Sequence, residues 1–401
     1  MTREARVVLA LAAAQALFQT ASVLIMTVGG LAGRLLAPDP VLATVPIACV
    51  ALGTATATIP ASLLMGRIGR RPGFVLGALL GVLGGGLAAW AIVIGSFALL
   101  CVGTALVGAY QGFAQFYRFA AAEASSEAFR SRAISLVLAG GVVAAVAGPH
   151  LGAMTRDLFD PATYAGSFLV VLVASALAAV LLAATPLTAE AVGDGADMPA
   201  RPLGEIARQP RFIAAVVGAA VGAGVMVLVM TATPLSMVAH HHDVSGAAFV
   251  IQWHVLGMFV PSFFTGWLIS RFGLTPMMLT GVVLLLIHVM IATTGVALAH
   301  FLSGLILLGV GWNFLYVGGS ALLTETYRPS ERAKVQALND FLIVGVVAAS
   351  SFSAGALLDG FGWRGLNLAA IPLLAAAALA VIGAAIARAR STNAQASAPV
   401  A

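Results

Sequence analysis

The chain has 401 residues, of which 61% are hydrophobic and 9% charged, with a mean hydropathy of +1.03. That apolar load excludes a water-soluble globule and points to the lipid bilayer as solvent. The net charge of +5 would suit a nucleic-acid surface, but in so apolar a chain the positions of the basic residues matter more than their sum, and nucleic acid is not expected as a partner.

A helix needs roughly 20 mostly apolar residues to cross a hydrocarbon core. Twelve such stretches run 6–28, 41–65, 73–94, 97–117, 132–153, 164–185, 212–238, 247–269, 276–297, 300–322, 335–358 and 365–387. The first follows Arg3 and Arg6 like a signal peptide, but it is too long for one and eleven similar segments follow, so it reads as a retained helix. The second and fourth stretches contain Cys49 and Cys101, too few thiols for a disulfide framework, which read as small apolar residues. Ser62-Leu-Leu-Met-Gly-Arg67-Ile-Gly69-Arg-Arg follows the second stretch, and Gly266-Trp-Leu-Ile-Ser-Arg271-Phe-Gly273 follows the eighth at an offset of 204. Glu127-Ala-Phe-Arg-Ser-Arg132-Ala and Pro329-Ser-Glu331-Arg332-Ala make a second, weaker echo. The most polar internal stretch, Thr188 to Gln209, separates six stretches from six. The expected organisation is therefore an N-terminal bundle 1–187, a cytoplasmic linker 188–210, a C-terminal bundle 211–390 and a cytoplasmic tail 391–401.

With both termini in the cytoplasm, 17 of the 20 Lys and Arg residues fall in the tails and in the loops that follow even-numbered stretches; only Arg34, Arg156 and Arg364 fall elsewhere. Cytoplasmic loops retain positive charge during insertion, so the bias fixes orientation and supports an even number of crossings.

Two pseudo-symmetric six-helix bundles joined by a linker, with a basic Gly turn after the second helix, resemble the major facilitator superfamily over the whole chain. The superfamily's loop signature is kept at Leu64, Arg67, Gly69, Arg70 and Arg71, whereas Gly66 stands at its acidic position. Gly140 and Gly148-Pro149-His150-Leu151-Gly152 resemble its fifth-helix motif, where small residues let helices approach closely. The resemblance implies an all-α membrane protein of twelve transmembrane helices, with solute bound near the midplane and alternating access by rocking.

No phosphate-binding Gly-x-x-x-x-Gly-Lys motif occurs, and Lys334 is the only lysine, so ATP-driven pumping is not expected. No acid, base and nucleophile arrangement suggests an enzyme, and no prosthetic group is called for. The seventh stretch carries Met226 and Met230 and the eighth His254 and Met258, each pair at the i, i+4 spacing of one helix face. Antiparallel geometry brings the four to two shared levels about 6 Å apart. Three thioethers and an imidazole suit Cu(I) and offer little to hard cations. Methionine also fills gaps in apolar packing, but an ionisable His254 inside a membrane usually faces a cavity or a partner.

Met-x-x-x-Met followed by His-x-x-x-Met closely resembles the CcoA-type copper importers of the superfamily. That resemblance implies copper ion as cargo, imported across a bacterial inner membrane for assembly of cbb3-type cytochrome oxidase. A monomer is expected, with a copper chaperone as the candidate hand-over partner. It also makes Cys49 an accessory metal ligand. His240, His241 and His242, at the outer end of the seventh stretch, would gather metal or merely form a solvated loop. Met26, which matches Met230 at the offset of 204, is expected to pack or else to face the cavity from the first helix. Asp340, near the start of the eleventh stretch, is the acid expected to carry protons, or else an interfacial helix-start acid. The alternative is an organic solute such as riboflavin, bound by Gln111, Gln115, Tyr117, Asn313 and Tyr316; a metal sensor without transport is a third class.

Overall fold

The computed structural model describes residues 3–39, 42, 45–187 and 200–396, and every regular element among them is helical. In chain order they are α1 Arg3–Leu36, α2 Val45–Ile68, α3 Arg70–Ile94, α4 Phe97–Ala114, α5 Tyr117–Glu123, α6 Arg130–Ala139, α7 Gly141–Thr155 and α8 Ala165–Ala184. They continue with α9 Leu203–Ala207, α10 Pro210–Ala239, α11 Val244–Phe259, α12 Ser262–Phe272, α13 Leu274–Thr294, α14 Leu298–Leu323, α15 Arg332–Leu368 and α16 Ala370–Ala396.

Eleven stretches among the described residues are long and apolar enough to cross a membrane, and the last, Pro329–Arg390, holds 62 residues. That is about three times what one crossing requires. It contains α15 and α16, and α15 itself kinks where Gly362 adopts φ 65°, so the all-α fold of twelve crossings holds. Large side chains left exposed, such as Phe352 at 88% and Leu379 at 70%, are those a lipid-facing surface requires.

Three expected spans are broken. The fourth divides into α4 and α5 at Gln115 and Phe116, the fifth into α6 and α7 at Gly140, and the eighth into α11 and α12 at Val260 and Pro261. Pro261 lacks the N–H that would continue the ladder, and its ring crowds the preceding turn. The internal repeat is structural as well as sequential. Gly69 (φ 90°, ψ 165°) and Gly273 (φ 92°, ψ 164°) occupy the same left-sided backbone conformation between consecutive helices, which L side chains rarely adopt.

Two compact units emerge. The first comprises Met1–Glu127, Leu136–Met198 and Arg332–Phe341, the second Ala128–Ser135, Pro199–Glu331 and Leu342–Ala401. The expected bundles 1–187 and 211–390 thus exchange two short segments. In the first unit, Ser62 donates to the Ala333 carbonyl at 2.8 Å, which ties the start of α15 to α2. In the second, the Gly266 amide donates to Ser135 Oγ at 3.1 Å, which ties the start of α6 to α12. Of the expected linker 188–210, residues 188–199 lie outside the described residues; α9 follows, and α10 opens with proline at its first position, where the missing N–H costs nothing. The expected tail 391–401 is helical as far as Ala396, with 397–401 outside the described residues.

Candidate functional site

In the second unit the functional side chains stand on α10, α11 and α14. Met226 is buried and Met230 half-buried on α10; His254 and Met258 are buried on α11. The i, i+4 pair of α11 lies on the stripe that packs against α14. His254 Nδ1 meets the Leu305 carbonyl at 2.8 Å. Since a carbonyl only accepts, Nδ1 carries the proton. A Cβ at Gly309 would lie 2.7 Å from the His254 carbonyl and 2.8 Å from the Met258 nitrogen, so α14 approaches α11 through a position only glycine fills. His254 Nε2 is buried and has no hydrogen-bond partner.

One turn further along α14 sits an aromatic group. Trp312 and Tyr316 stack at 5.0 Å with planes 17° apart, and Phe259 meets Trp312 edge-on at 5.9 Å. Trp312 is 6% exposed, and its Nε1 donor has no partner. Asn313, between them in sequence, is committed elsewhere. Its Nδ2 donates to the Met258 carbonyl at 2.8 Å and to Ser262 Oγ at 2.5 Å, and its Oδ1 accepts from Thr265 at 2.7 Å. It therefore mends the break between α11 and α12. The sequence offered Asn313 and Tyr316 as equal candidates for a solute; the structure separates them, and it adds Trp312, which the sequence did not single out.

In the first unit a charged network closes one end. Arg70 on α3 donates Nε and Nη2 to Glu123 on α5 at 3.1 and 2.7 Å, while Gln336 donates to Glu123 at 3.0 Å and Arg332 lies 3.5 Å from it. Gly66, where the superfamily's acid would stand, is close to Ala333, 3.0 Å from Cβ to Cβ if a side chain were added. Arg118 pairs with Asp340, both almost completely buried. Gln115 accepts from Arg118 at 3.2 Å, and the Tyr117 and Tyr110 hydroxyls lie 3.4 Å apart. Gln111 is half-buried.

The remaining expectations fall as follows. Cys49 and Cys101, half-buried on α2 and α4, are neighbours, a juxtaposition their 52-residue separation did not reveal. His240 Nδ1 bonds the Ser236 carbonyl at 2.7 Å, His242 Nε2 bonds the Val296 carbonyl at 2.8 Å, and His241 takes φ 62° at the end of α10. Among the described residues no three His, Cys, Asp or Glu side chains converge as a metal site. Met26 is 55% exposed rather than packed inside, because its face of α1 is not covered by a neighbour.

Comparison with known proteins supplies the family. The family model described as Major Facilitator Superfamily matches residues 9–253 and 215–400. The riboflavin transporter RfnT of Brucella anthropi is 43% identical over 379 residues, 93% of this chain and 94% of that protein. The uncharacterized MFS-type transporter YdeG of Bacillus subtilis is 31% identical, over 86% of this chain and 83% of that one. Among solved structures, the human organic anion transporter MFSD10 superposes with TM-score 0.76 at 14% identity, over 95% of this chain and all of that one. The transporter FucP in its outward conformation gives 0.74 at 17%, over 94% and 98%. At such identities these two speak for the fold alone.

The expectation of copper import is overturned by the relative at 43% identity, which carries riboflavin in its name, and no comparison supports copper or oxidase assembly. The His-x-x-x-Met spacing misled because a helix face turned to a metal and one turned to a neighbouring helix share the same period. The metal roles drawn for Met226, Met230, His254, Met258, Cys49 and His240 to His242 rested on copper as the cargo and lose that ground. Two family-length matches, eleven long apolar helical stretches among the described residues and a repeated loop agree on one assignment: the chain belongs to the Major Facilitator Superfamily and is a multi-pass membrane transporter, not an enzyme.

Proposed function

We propose that the protein is a gradient-driven transporter of riboflavin, placed in a bacterial cytoplasmic membrane with both termini on the cytoplasmic side. The observation that carries the reading is the 43% identity to a riboflavin transporter over nearly the full length of both chains. The side chains of the second unit are chemically suited to such a solute. An isoalloxazine is a flat, apolar, three-ring system with one edge of alternating donors and acceptors. The Trp312, Tyr316 and Phe259 group presents aromatic faces and edges, and ring pairs of this kind contribute about 0.5–1.5 kcal/mol beyond their buried area. Trp312 Nε1 is an unused donor and His254 Nε2 an unused acceptor, both buried, and a buried polar group without a partner is costly until a ligand supplies one. The orientation follows from the distribution of Arg and Lys.

The test is a titration of riboflavin onto the purified protein with flavin fluorescence as readout. Saturable quenching is expected in the wild type, retained in Trp312→Phe and weakened at least tenfold in Trp312→Ala. A wild type that is folded and shows no saturable quenching removes riboflavin as the solute.

A further inference from the structure

The second unit holds a cavity separate from the aromatic group around Trp312. It measures about 550 Å³ and lies between the end of α10 and the last turns of α15 up to its kink. Ligand cavities ordinarily measure about 300–1,000 Å³, with mostly apolar walls and a few polar groups that fix orientation. Gly362 lines it at the kink and Gly355 two turns earlier; a Cβ at either position would meet nothing within 4 Å.

The walls are of two kinds. Leu235 and Leu358 give apolar surface, and Trp363, 5% exposed, packs against Phe301 with ring centroids 5.0 Å apart. Phe301 in turn meets His242 edge-on at 5.6 Å, so the indole stands in a braced cluster. The polar groups are Ser236, His240 and Asp359. Ser236 is 1% exposed, and its Oγ has no hydrogen-bond partner among the described residues. A buried hydroxyl left in that state costs free energy until a partner is supplied. His240 Nδ1 bonds the Ser236 carbonyl at 2.7 Å; the carbonyl only accepts, so Nδ1 carries the proton and Nε2 of the neutral ring is an acceptor. Asp359 is exposed and adds a carboxylate, which accepts only while ionised. Two acceptor groups and one hydroxyl suit a molecule rich in O–H donors, and the indole and leucines suit a flat apolar part beside them.

Phe301 stands eleven residues before Trp312 on α14, about 16 Å along the helix axis. With the orientation proposed above, the cavity therefore lies at the outer level of the second unit and the Trp312 group deeper in it. We propose that the cavity is an outer binding site for riboflavin, where hydroxyls of the ribityl chain donate to Asp359 and His240 before the solute reaches the level of Trp312. The site rests on the riboflavin reading and adds a basis for selectivity. Aromatic faces at Trp312 accept any flat flavin, whereas Asp359 and His240 select one that carries a hydroxylated chain.

The experiment measures uptake of labelled riboflavin over a range of external concentrations, in bacteria that can neither make nor import it, with each variant of the full chain at matched membrane level. Unlabelled lumiflavin, which has a methyl group in place of the ribityl chain, is the competitor. In Asp359→Ala the half-saturation concentration for riboflavin is expected to rise at least about fivefold, as the loss of one charge-assisted hydrogen bond requires, with the maximal rate kept. Inhibition by lumiflavin, measured well below half-saturation, is expected to be unchanged. Gly355→Leu, which fills the cavity from a position with free space, is expected to raise the half-saturation concentration as well. Unchanged half-saturation in both variants, with uptake intact, overturns the outer site and leaves the riboflavin reading standing. An equal weakening of riboflavin and lumiflavin in Asp359→Ala overturns the role given to the hydroxylated chain. A wild type without uptake overturns the riboflavin reading itself, and the outer site falls with it. Because Asp359 is exposed, its replacement disturbs no packing and decides the matter even where Gly355→Leu fails to fold.

Discussion

Replacing Asn313 by alanine tests the second unit most sharply, since the sequence offered this amide as a solute contact and the structure makes it a brace. The side chain is fully buried and holds three partners: the Met258 carbonyl, Ser262 Oγ and Thr265 Oγ1. Two of the three keep another bond. Thr265 still donates to the Pro261 carbonyl at 2.8 Å, and Ser262 Oγ can turn to local acceptors. The Met258 carbonyl has no such alternative, because the helix break removes the amide that would reach it. One orphaned buried acceptor costs about 1–3 kcal/mol, and each weakened hydroxyl bond adds about 0.5–1 kcal/mol. A loss of roughly 2–4 kcal/mol follows, before any term for the small cavity. From the usual entropy of unfolding per residue, this lowers Tm by about 2–5 °C, and by about 5–10 °C if the second unit melts alone. The assay is thermal unfolding of the purified variant followed by tryptophan fluorescence. Removing the demand as well as the supply should recover stability: Asn313→Leu with Thr265→Val is expected to be more stable than Asn313→Leu alone. A variant as stable as wild type, with riboflavin binding lost, would refute the bracing role and return Asn313 to the solute site.

Other expectations concern the first unit and the discarded metal. Glu123→Gln leaves Arg70 and Arg332 without their carboxylate; with Glu123 19% exposed, a loss of about 2–4 kcal/mol is expected, read as a lower Tm that partly recovers in Arg70→Gln with Glu123→Gln. Gly108→Val should prevent normal packing of α4 on α2, since even a Cβ there would lie 2.1 Å from the Val50 carbonyl oxygen; a cost of at least about 1–3 kcal/mol should appear as a reduced yield of monodisperse protein. Chelation of Cu(I) should leave riboflavin flux unchanged, and a fall reversed by added copper would reopen the metal role of Met226, Met230, His254 and Met258.

Much of the fold could be read from the chain because membrane burial imposes a coarse rule: runs of about 20 apolar residues and basic loops on one side. The repeat at Arg67-x-Gly69 and Arg271-x-Gly273 was equally legible, since a left-sided backbone angle demands glycine at both places. The breaks at Gln115, Gly140 and Pro261 were not, because apolar content runs on through them and only neighbouring helices reveal where backbone groups are satisfied. The site was less legible than the fold. His254 and Met258 share one face by spacing, but nothing in the sequence says that α14 covers that face through Gly309. The Arg118 and Asp340 pair joins residues 222 positions apart, so the acid could be singled out for its place in an apolar helix while its partner could not. Trp312 drew no attention, for a buried tryptophan becomes informative only when its indole N–H is seen to lack a partner.

The central claim is tested most directly by uptake of labelled riboflavin into bacteria that can neither make nor import it, with and without this chain, and with labelled copper measured in parallel. Riboflavin accumulation that depends on the chain, with copper content unchanged, is the predicted result. A well-expressed chain that leaves riboflavin uptake at background would contradict it.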